Sequence, residues 1–530
     1  MSFSKVNSGA ILGINSQNIS IEIHLDKTSL PRFTIVGLAS REVEEAKERV
    51  RSAIKNSKFK FPEGRITVNL SPADIPKKGS LYDLPIAIGI LLATNQIKQN
   101  QTNLFLVGEL SLNGDVKKVS GIFPIVHSID DTNQQIFIPY DNYQEVSQIK
   151  NTNLILVKSL KDCVYKINNF SKDFYEEFKS LSDSYRKSLK ISTQNNALSD
   201  TRFEDIKGQE TAKLAMVIGA AGLHHISLIG SPGTGKSMLA KTLPTILPPL
   251  TQPQLIQLSK IYSVANLNFE KILKRIPPIR SPHHTLSKSA LLGGGNPIKP
   301  GEITLATHGV LFLDEFPELS RDIIESLRQP LEDKKVTISR ISQKITFPAD
   351  FLLILASNPC PCGNLYNPHK ECVCLPNQIK RYQEKLSGPI LDRIDLHVIV
   401  ENISIADIVK IPHKNFTSET MKKLVEKARK IQQKRYKNLP ENLQYNGSLS
   451  PKQIETYIKI TPKAKQLLLK HMAKTNFSMR SYHKLIKISQ TIADLQNNSG
   501  LRSDSVVNQK HVETAIKFRP KNKDEQFQIY

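Results

Sequence analysis

The chain has 530 residues, 39% of them hydrophobic, enough for several cores and roughly two to four domains of ~100–200 residues. No apolar run approaches the ~18–20 residues of a membrane helix, and Met1–Lys5 opens no secretory segment, so a soluble cytoplasmic protein is expected. The formal charge is +24, and Glu401–Tyr530 holds 25 Lys and Arg against 11 Asp and Glu, a balance that suits either a polyanionic partner or a lysine-rich solvated surface.

Residues 1 to about 165 mix strand and helix patterns. Glu42–Ser57 is charged and amphipathic, as an exposed helix is, and Arg65–Leu70 alternates in the strand manner. Leu81–Leu92 reads as a buried helix, and Asn103–Val107 and Gln135–Ile138 as core strands. Residues 166–200 are rich in Ser, Lys, Glu and Tyr with little apolar periodicity, which predicts a linker.

Residues 201–405 alternate short apolar strands with helices, the pattern of a parallel α/β sheet. The strand Ile226–Ile229 runs into Gly230-Ser231-Pro232-Gly233-Thr234-Gly235-Lys236-Ser237, a match to G-x-x-x-x-G-K-[ST]. Glycines there let backbone N–H groups curl round phosphates. Lys236 should reach the β- and γ-phosphates, and the Ser237 hydroxyl should bind Mg²⁺. The next strand, Val310–Leu313, ends in two carboxylates. Asp314 falls where a second Mg²⁺ contact is needed, and Glu315 where a base can polarise the attacking water. A third strand, Phe351–Ala356, leads to Asn358, whose amide can hold that water near the γ-phosphate. A GTPase would need N-K-x-D after a strand, and the nearest approach is Asn522-Lys523-Asp524-Glu525 in the tail, so ATP is the expected nucleotide.

Between the acidic strand and Asn358, Lys334–Thr346 alternates as two short strands of a hairpin would, with its turn near Arg340–Ser342. Beyond Asn358 stand four cysteines, Cys360-x-Cys362 and Cys372-x-Cys374, while Cys163 stands alone. Tight pairs in a cytosolic protein suggest a metal site more than a disulfide framework, and four thiolates suit a structural Zn²⁺. His369 is a spare ligand, and reduced, unliganded cysteines are the alternative. The adjacent His283 and His284 are expected to point apart and to serve structure or DNA contact. From about residue 415 the chain is helical and basic over Glu419–Lys434, Pro451–Ile458, Pro462–Thr475, Ser481–Gln496 and Asn508–Phe518.

The order of phosphate loop, Asp-Glu strand and Asn-tipped strand is similar to that of AAA+ ATPases. Arg280-Ser281-Pro282-His283-His284-Thr285, Gly293–Pro297, Pro300–Ile303 and Leu327-Arg328-Gln329-Pro330-Leu331-Glu332-Asp333 resemble the magnesium-chelatase-like branch. Over nearly its whole length the chain resembles the ComM/YifB family of competence-linked DNA helicases. That resemblance implies an AAA+ P-loop core over 201–405 with the four-cysteine insertion, a basic C-terminal helical lid over 406–530, and an N-terminal α+β Lon-protease-like (S5 domain 2-like) domain over 1–165. It implies that Arg393, in Ser387–Leu396, is an arginine finger acting on a neighbour's ATP, and that Arg480, in Ser478–His483, reaches the γ-phosphate from the lid. Phe203–Gln209 resembles the segment that flanks the adenine. The hairpin of related ring motors projects into the pore, which would bring Arg340 and Lys344 to DNA phosphates. Alignment of Pro76-Lys77-Lys78-Gly79 and Gly108–Gly114 with the Lon segments puts Leu81 and Phe123 where the catalytic serine and lysine would be, so no peptidase activity is expected.

These readings converge on an ATP- and Mg²⁺-dependent homo-oligomeric ring, a hexamer, that moves single-stranded or branched DNA in recombination or natural transformation. The alternative is a chelatase-type motor subunit remodelling a protein partner. An AAA+ protease is the third reading, opposed by the missing dyad.

Overall fold

The computed structural model describes residues 2–98, 103–129, 134–149, 153–195, 201–340, 343–367, 370–385, 388–402, 416–475, 478–497 and 505–519. The chain divides into two compact units. One gathers Met1–Asn196, Gln252–Lys274 and Gly295–Pro300; the other gathers Ala197–Thr251, Arg275–Gly294 and Gly301–Tyr530.

The first unit is built on a seven-stranded mixed sheet, in the order Arg32–Val36, Arg65–Ser71, Asn15–Asp26, Ser2–Leu12, Leu104–Leu106, Gln135–Pro139, Leu154–Val157. Its spine is the long antiparallel hairpin of Ser2–Leu12 with Asn15–Asp26. The helix Asp83–Ala93 is buried at every position, as its unbroken apolar sequence requires. Leu81 and Phe123 are core residues whose side chains carry neither a nucleophile nor a base, and the Ser80 hydroxyl donates to Glu109. Residues 173–195, inside the expected linker, form a helix. Phe174, Phe178, Leu181 and Leu189 recur three, four and eight residues apart and meet the core, a stripe that the surrounding Ser and Lys residues obscure. The helix Gln252–Val264 also belongs here, although it lies inside the stretch expected as the ATPase core. Ser263 fixes it: its carbonyl accepts from Gly121 N at 3.1 Å and its hydroxyl donates to Glu145.

The second unit has a five-stranded sheet, all parallel, in the order Ile279–Arg280, Val310–Leu313, Leu352–Ser357, Ile226–Ile229, Leu396–Ile399. Its apolar residues alternate between two cores. Ile226, Leu228, Phe312, Ile354 and Val398 face one, and Leu311, Leu313, Leu353 and Leu355 the other. The first core is completed by the helix Glu210–Gly222 and by C-terminal helices that include Ser418–Arg435 and Met479–Gln496. An ion pair between Arg435 and Asp494, with side chains 7% and 0% exposed, locks two of those helices together. The strands Lys335–Arg340 and Gln343–Pro348 form the expected hairpin. Among the described residues, no helix is long and apolar enough to cross a membrane.

Candidate nucleotide site

Parallel strands deliver whatever follows them to one edge of the sheet, which is where ligands of open α/β sheets bind. Here Ile229 pairs with Ser357, and Leu313 with Leu355. The phosphate loop, Asn358 and Asp314–Glu315 therefore emerge side by side. Gly233 and Gly235 have φ of +82° and +92°, and nothing stands within 4 Å of the place a Cβ would take at either, so the loop is an open cradle. Lys236 donates to Gly230 O at 2.7 Å, to Ser231 O at 2.9 Å and to Asn358 Oδ1 at 3.2 Å. Burial lowers its pKa, and Asp314 opposes the shift. A half-desolvated ammonium held only by neutral acceptors is one that an anionic phosphate would stabilise.

The Ser237 hydroxyl donates to Asp314 Oδ2 at 2.6 Å, and Asp314 Oδ1 accepts from Glu315 N at 2.9 Å. Two hard oxygen donors in contact fit Mg²⁺. Glu315 itself has φ of +48°, and its Oε2 lies 2.9 Å from His284 Nδ1. His283 and His284 do not point apart: their rings lie 4.1 Å apart between centroids, because the loop after Ile279–Arg280 turns instead of extending. His284 thus joins the candidate site through a contact with Glu315 that only the turn of this loop creates. Gln209 Nε2 donates to Glu401 O at 2.7 Å and lies 3.4 Å from Thr234 O, which brings the Phe203–Gln209 segment beside the loop.

Arg393 and Arg480 are brought together on one carboxylate. Glu332 Oε1 accepts from Arg393 Nη2 and, at 3.2 Å, from Arg480 Nη2. Arg480 thus shares Glu332 with Arg393, and its helix is anchored beside that carboxylate. Lys484, one turn on, lies 3.0 Å from Asp395 and donates to Ile394 O. Burial pulls the Lys484 pKa down to about 8 against the pull of Asp395. Burial raises the Asp395 pKa, but Lys484 and His224 outweigh it and hold the carboxyl well below the usual range. Arg519 adds bonds to Ile394 O and Ser481 Oγ. Beside this hub lies a cavity of about 530 Å³ lined by Glu332, Arg393, Arg480, Lys484 and Lys487 among others.

On the hairpin Arg340 and Lys344 are both exposed. The register pairs Ile338 with Ile345 and Ser339 with Lys344, so Arg340 shares a face with Ile338 while Lys344 projects from the other. Ile341 and Ser342, in the expected turn, lie outside the described residues, as does His369.

The four cysteines converge. Cys360 Sγ is 3.4 Å from Cys362 Sγ and 3.6 Å from Cys372 Sγ, and all four sulfurs lie within 4.8 Å of one another. Bonds of about 2.3 Å to a tetrahedral ion put sulfurs about 3.8 Å apart, whereas a disulfide needs about 2.05 Å, so the spacing fits a metal. Burial raises the Cys362 pKa, but backbone N–H groups of Asn364 and Val373 outweigh it and bring the thiol down to about 6. Burial pushes Cys360 up to about 12.

A five-stranded parallel sheet with a phosphate loop, an Asp-Glu strand end and an Asn-tipped strand defines a magnesium-chelatase-type AAA+ protein. The family description "Magnesium chelatase, subunit ChlI" matches residues 202–408, "Subunit ChlI of Mg-chelatase" matches 21–142, and "Magnesium chelatase, subunit ChlI C-terminal" matches 415–519. The chain is 39% identical over 522 residues to Competence protein ComM of Haemophilus influenzae, covering 98% of each. It is 36% identical to YifB of Escherichia coli, over 98% of this chain and 97% of that one. The magnesium-chelatase subunit ChlI of Euglena gracilis is 24% identical over 57% of this chain and 80% of its own length. The chain belongs to the ComM/YifB family.

Proposed function

We propose that this protein is an ATP-hydrolysing DNA motor that works as a homo-oligomeric ring, a hexamer, in the cytoplasm. The observation that carries hydrolysis is the 2.6 Å contact of Ser237 with Asp314 beside Lys236, two Mg²⁺ ligands already meeting at the mouth of a phosphate cradle. Ser237 and Asp314 would hold Mg²⁺, which would supply charge neutralisation at the phosphates. The loop N–H groups and Lys236 grip the β- and γ-phosphates. Asn358 orients the attacking water and Glu315 accepts its proton, which requires the Glu315 carboxylate to leave His284.

Arg393 and Arg480 act on a neighbour's ATP. Their meeting at Glu332 supports one two-arginine clamp supplied across the subunit interface. The exposed Arg340 and Lys344 touch DNA phosphates from opposite faces of the hairpin, and the basic C-terminal helices extend that surface. The N-terminal unit is a Lon-like fold without its dyad that serves assembly or DNA binding. The name of the Haemophilus relative ties it to competence, and we place this chain's work in natural transformation or recombination. The cysteine cluster holds structural Zn²⁺. The rival reading, a chelatase-type subunit remodelling a protein partner, draws on the ChlI relatives. ATPase rates with single-stranded, duplex and four-way-junction DNA separate the two, since a protein remodeller gains nothing from DNA.

A further inference from the structure

The chain that leaves the sheet at Asn358 touches the phosphate loop twice. Asn358 Oδ1 accepts from Lys236. Five residues later, Gly363 lies flat against Pro232: a Cβ there would stand 2.5 Å from Pro232 Cδ and 2.7 Å from Cγ. Both contacts are local to one knot. Gly363 N donates to Cys360 O at 3.0 Å, closing a turn in which Gly363 takes φ of +78°. Cys360 is fully buried, Cys362 N lies 3.4 Å from Cys374 Sγ, and Gln383 Nε2 donates to Pro359 O at 3.1 Å.

Three of the four sulfurs stand 3.4–3.6 Å apart and all four lie within 4.8 Å of one another, the arrangement of ligands round one tetrahedral ion. A cation shared by the four would tie the two cysteine pairs into one rigid centre. The position of Gly363 therefore depends on the centre, since it sits one residue from Cys362. Pro232 belongs to the phosphate loop and has φ fixed by its ring. Pressure from Gly363 thus passes into the backbone of the cradle.

We propose that the tetrathiolate metal centre is a buttress for the phosphate loop: with metal bound, Gly363 holds Pro232 in place, and ATP affinity is coupled to metal occupancy. This rests on the proposed nucleotide site and goes beyond a purely structural zinc. The coupling is one of position, with no ligand shared between metal and nucleotide.

The test uses the full-length protein and a fluorescent ATP analogue with Mg²⁺ present. Purified protein should carry about one zinc per chain. Stripping the zinc should weaken nucleotide binding on the order of tenfold, and adding zinc back should restore it. Gly363→Ala should keep its zinc yet bind nucleotide on the order of tenfold more weakly, because a methyl group collides with the proline ring. Gly363→Ala combined with Pro232→Ala should recover part of that loss, which general damage to the fold would not allow. Equal affinity with and without zinc, or wild-type affinity in zinc-loaded Gly363→Ala, overturns the buttress. A zinc-loaded wild type that binds no nucleotide at all overturns the underlying nucleotide site instead.

Discussion

Arg393→Ala separates ATP binding from ATP hydrolysis, and the structure sets the size of both effects. The side chain is 15% exposed and its partner Glu332 is 47% exposed, so their ion pair contributes at most about 1 kcal/mol to folding. Glu332 keeps Arg480 as a partner after the change. The variant should therefore fold, and each subunit should bind ATP normally, since Lys236, Ser237 and Asp314 are untouched. Hydrolysis should fall about 10³–10⁵-fold, the usual contribution of an arginine finger. Mixing supplies the decisive assay. In a head-to-tail ring, an interface needs Lys236 from one subunit and Arg393 from the next. Mixed in equal amounts, Arg393→Ala and Lys236→Ala subunits complete about one interface in four. Recovery of up to about a quarter of wild-type ATPase is expected, less where hydrolysis needs several working interfaces. No recovery at any mixing ratio, with mixed rings shown to form, refutes action in trans.

Glu315→Gln should retain ATP and stop hydrolysis, leaving ATP-dependent rings that persist on a sizing column; hydrolysis at the normal rate would remove Glu315 from its assigned role. Arg340→Ala with Lys344→Ala should keep basal ATPase while losing DNA stimulation and flattening the salt dependence of DNA binding by about two phosphate contacts. Unchanged unwinding by that double variant would move the DNA grip to the basic helices after Glu419. Asp494→Ala should lower stability by about 3–5 kcal/mol, because it strands the Arg435 guanidinium in the core, and urea denaturation reads this directly. A loss below about 1 kcal/mol would mean that water reaches Arg435.

The candidate nucleotide site was legible because the pattern that marks it is local. Gly230–Ser237 needs consecutive residues to wrap a phosphate, and Asp314–Glu315 and Asn358 need only the ends of strands whose apolar runs are plain. Strand order then brings them together with no further information. The four cysteines were legible for the same reason: pairs two apart are already neighbours. What stayed hidden depends on tertiary placement. Nothing in the sequence puts Glu332 beside Arg393 and Arg480, which lie 61 and 148 residues away. The His284–Glu315 contact depends on how one loop turns. The helix of residues 173–195 was masked by its polar majority, since four apolar residues suffice to bury one side. The strand Ser2–Leu12 was missed because its Ser and Asn residues carry little apolar signal, yet Ser4 and Ser8 are buried.

If this protein is a DNA motor, its ATP hydrolysis is coupled to DNA. The measurement is steady-state ATPase of the full-length chain at fixed moderate salt, without DNA and with saturating single-stranded, duplex or four-way-junction DNA. A severalfold rise with at least one of these is expected, lost in Glu315→Gln and reduced as salt increases. An ATPase that is active, forms rings and is indifferent to every DNA structure would contradict it.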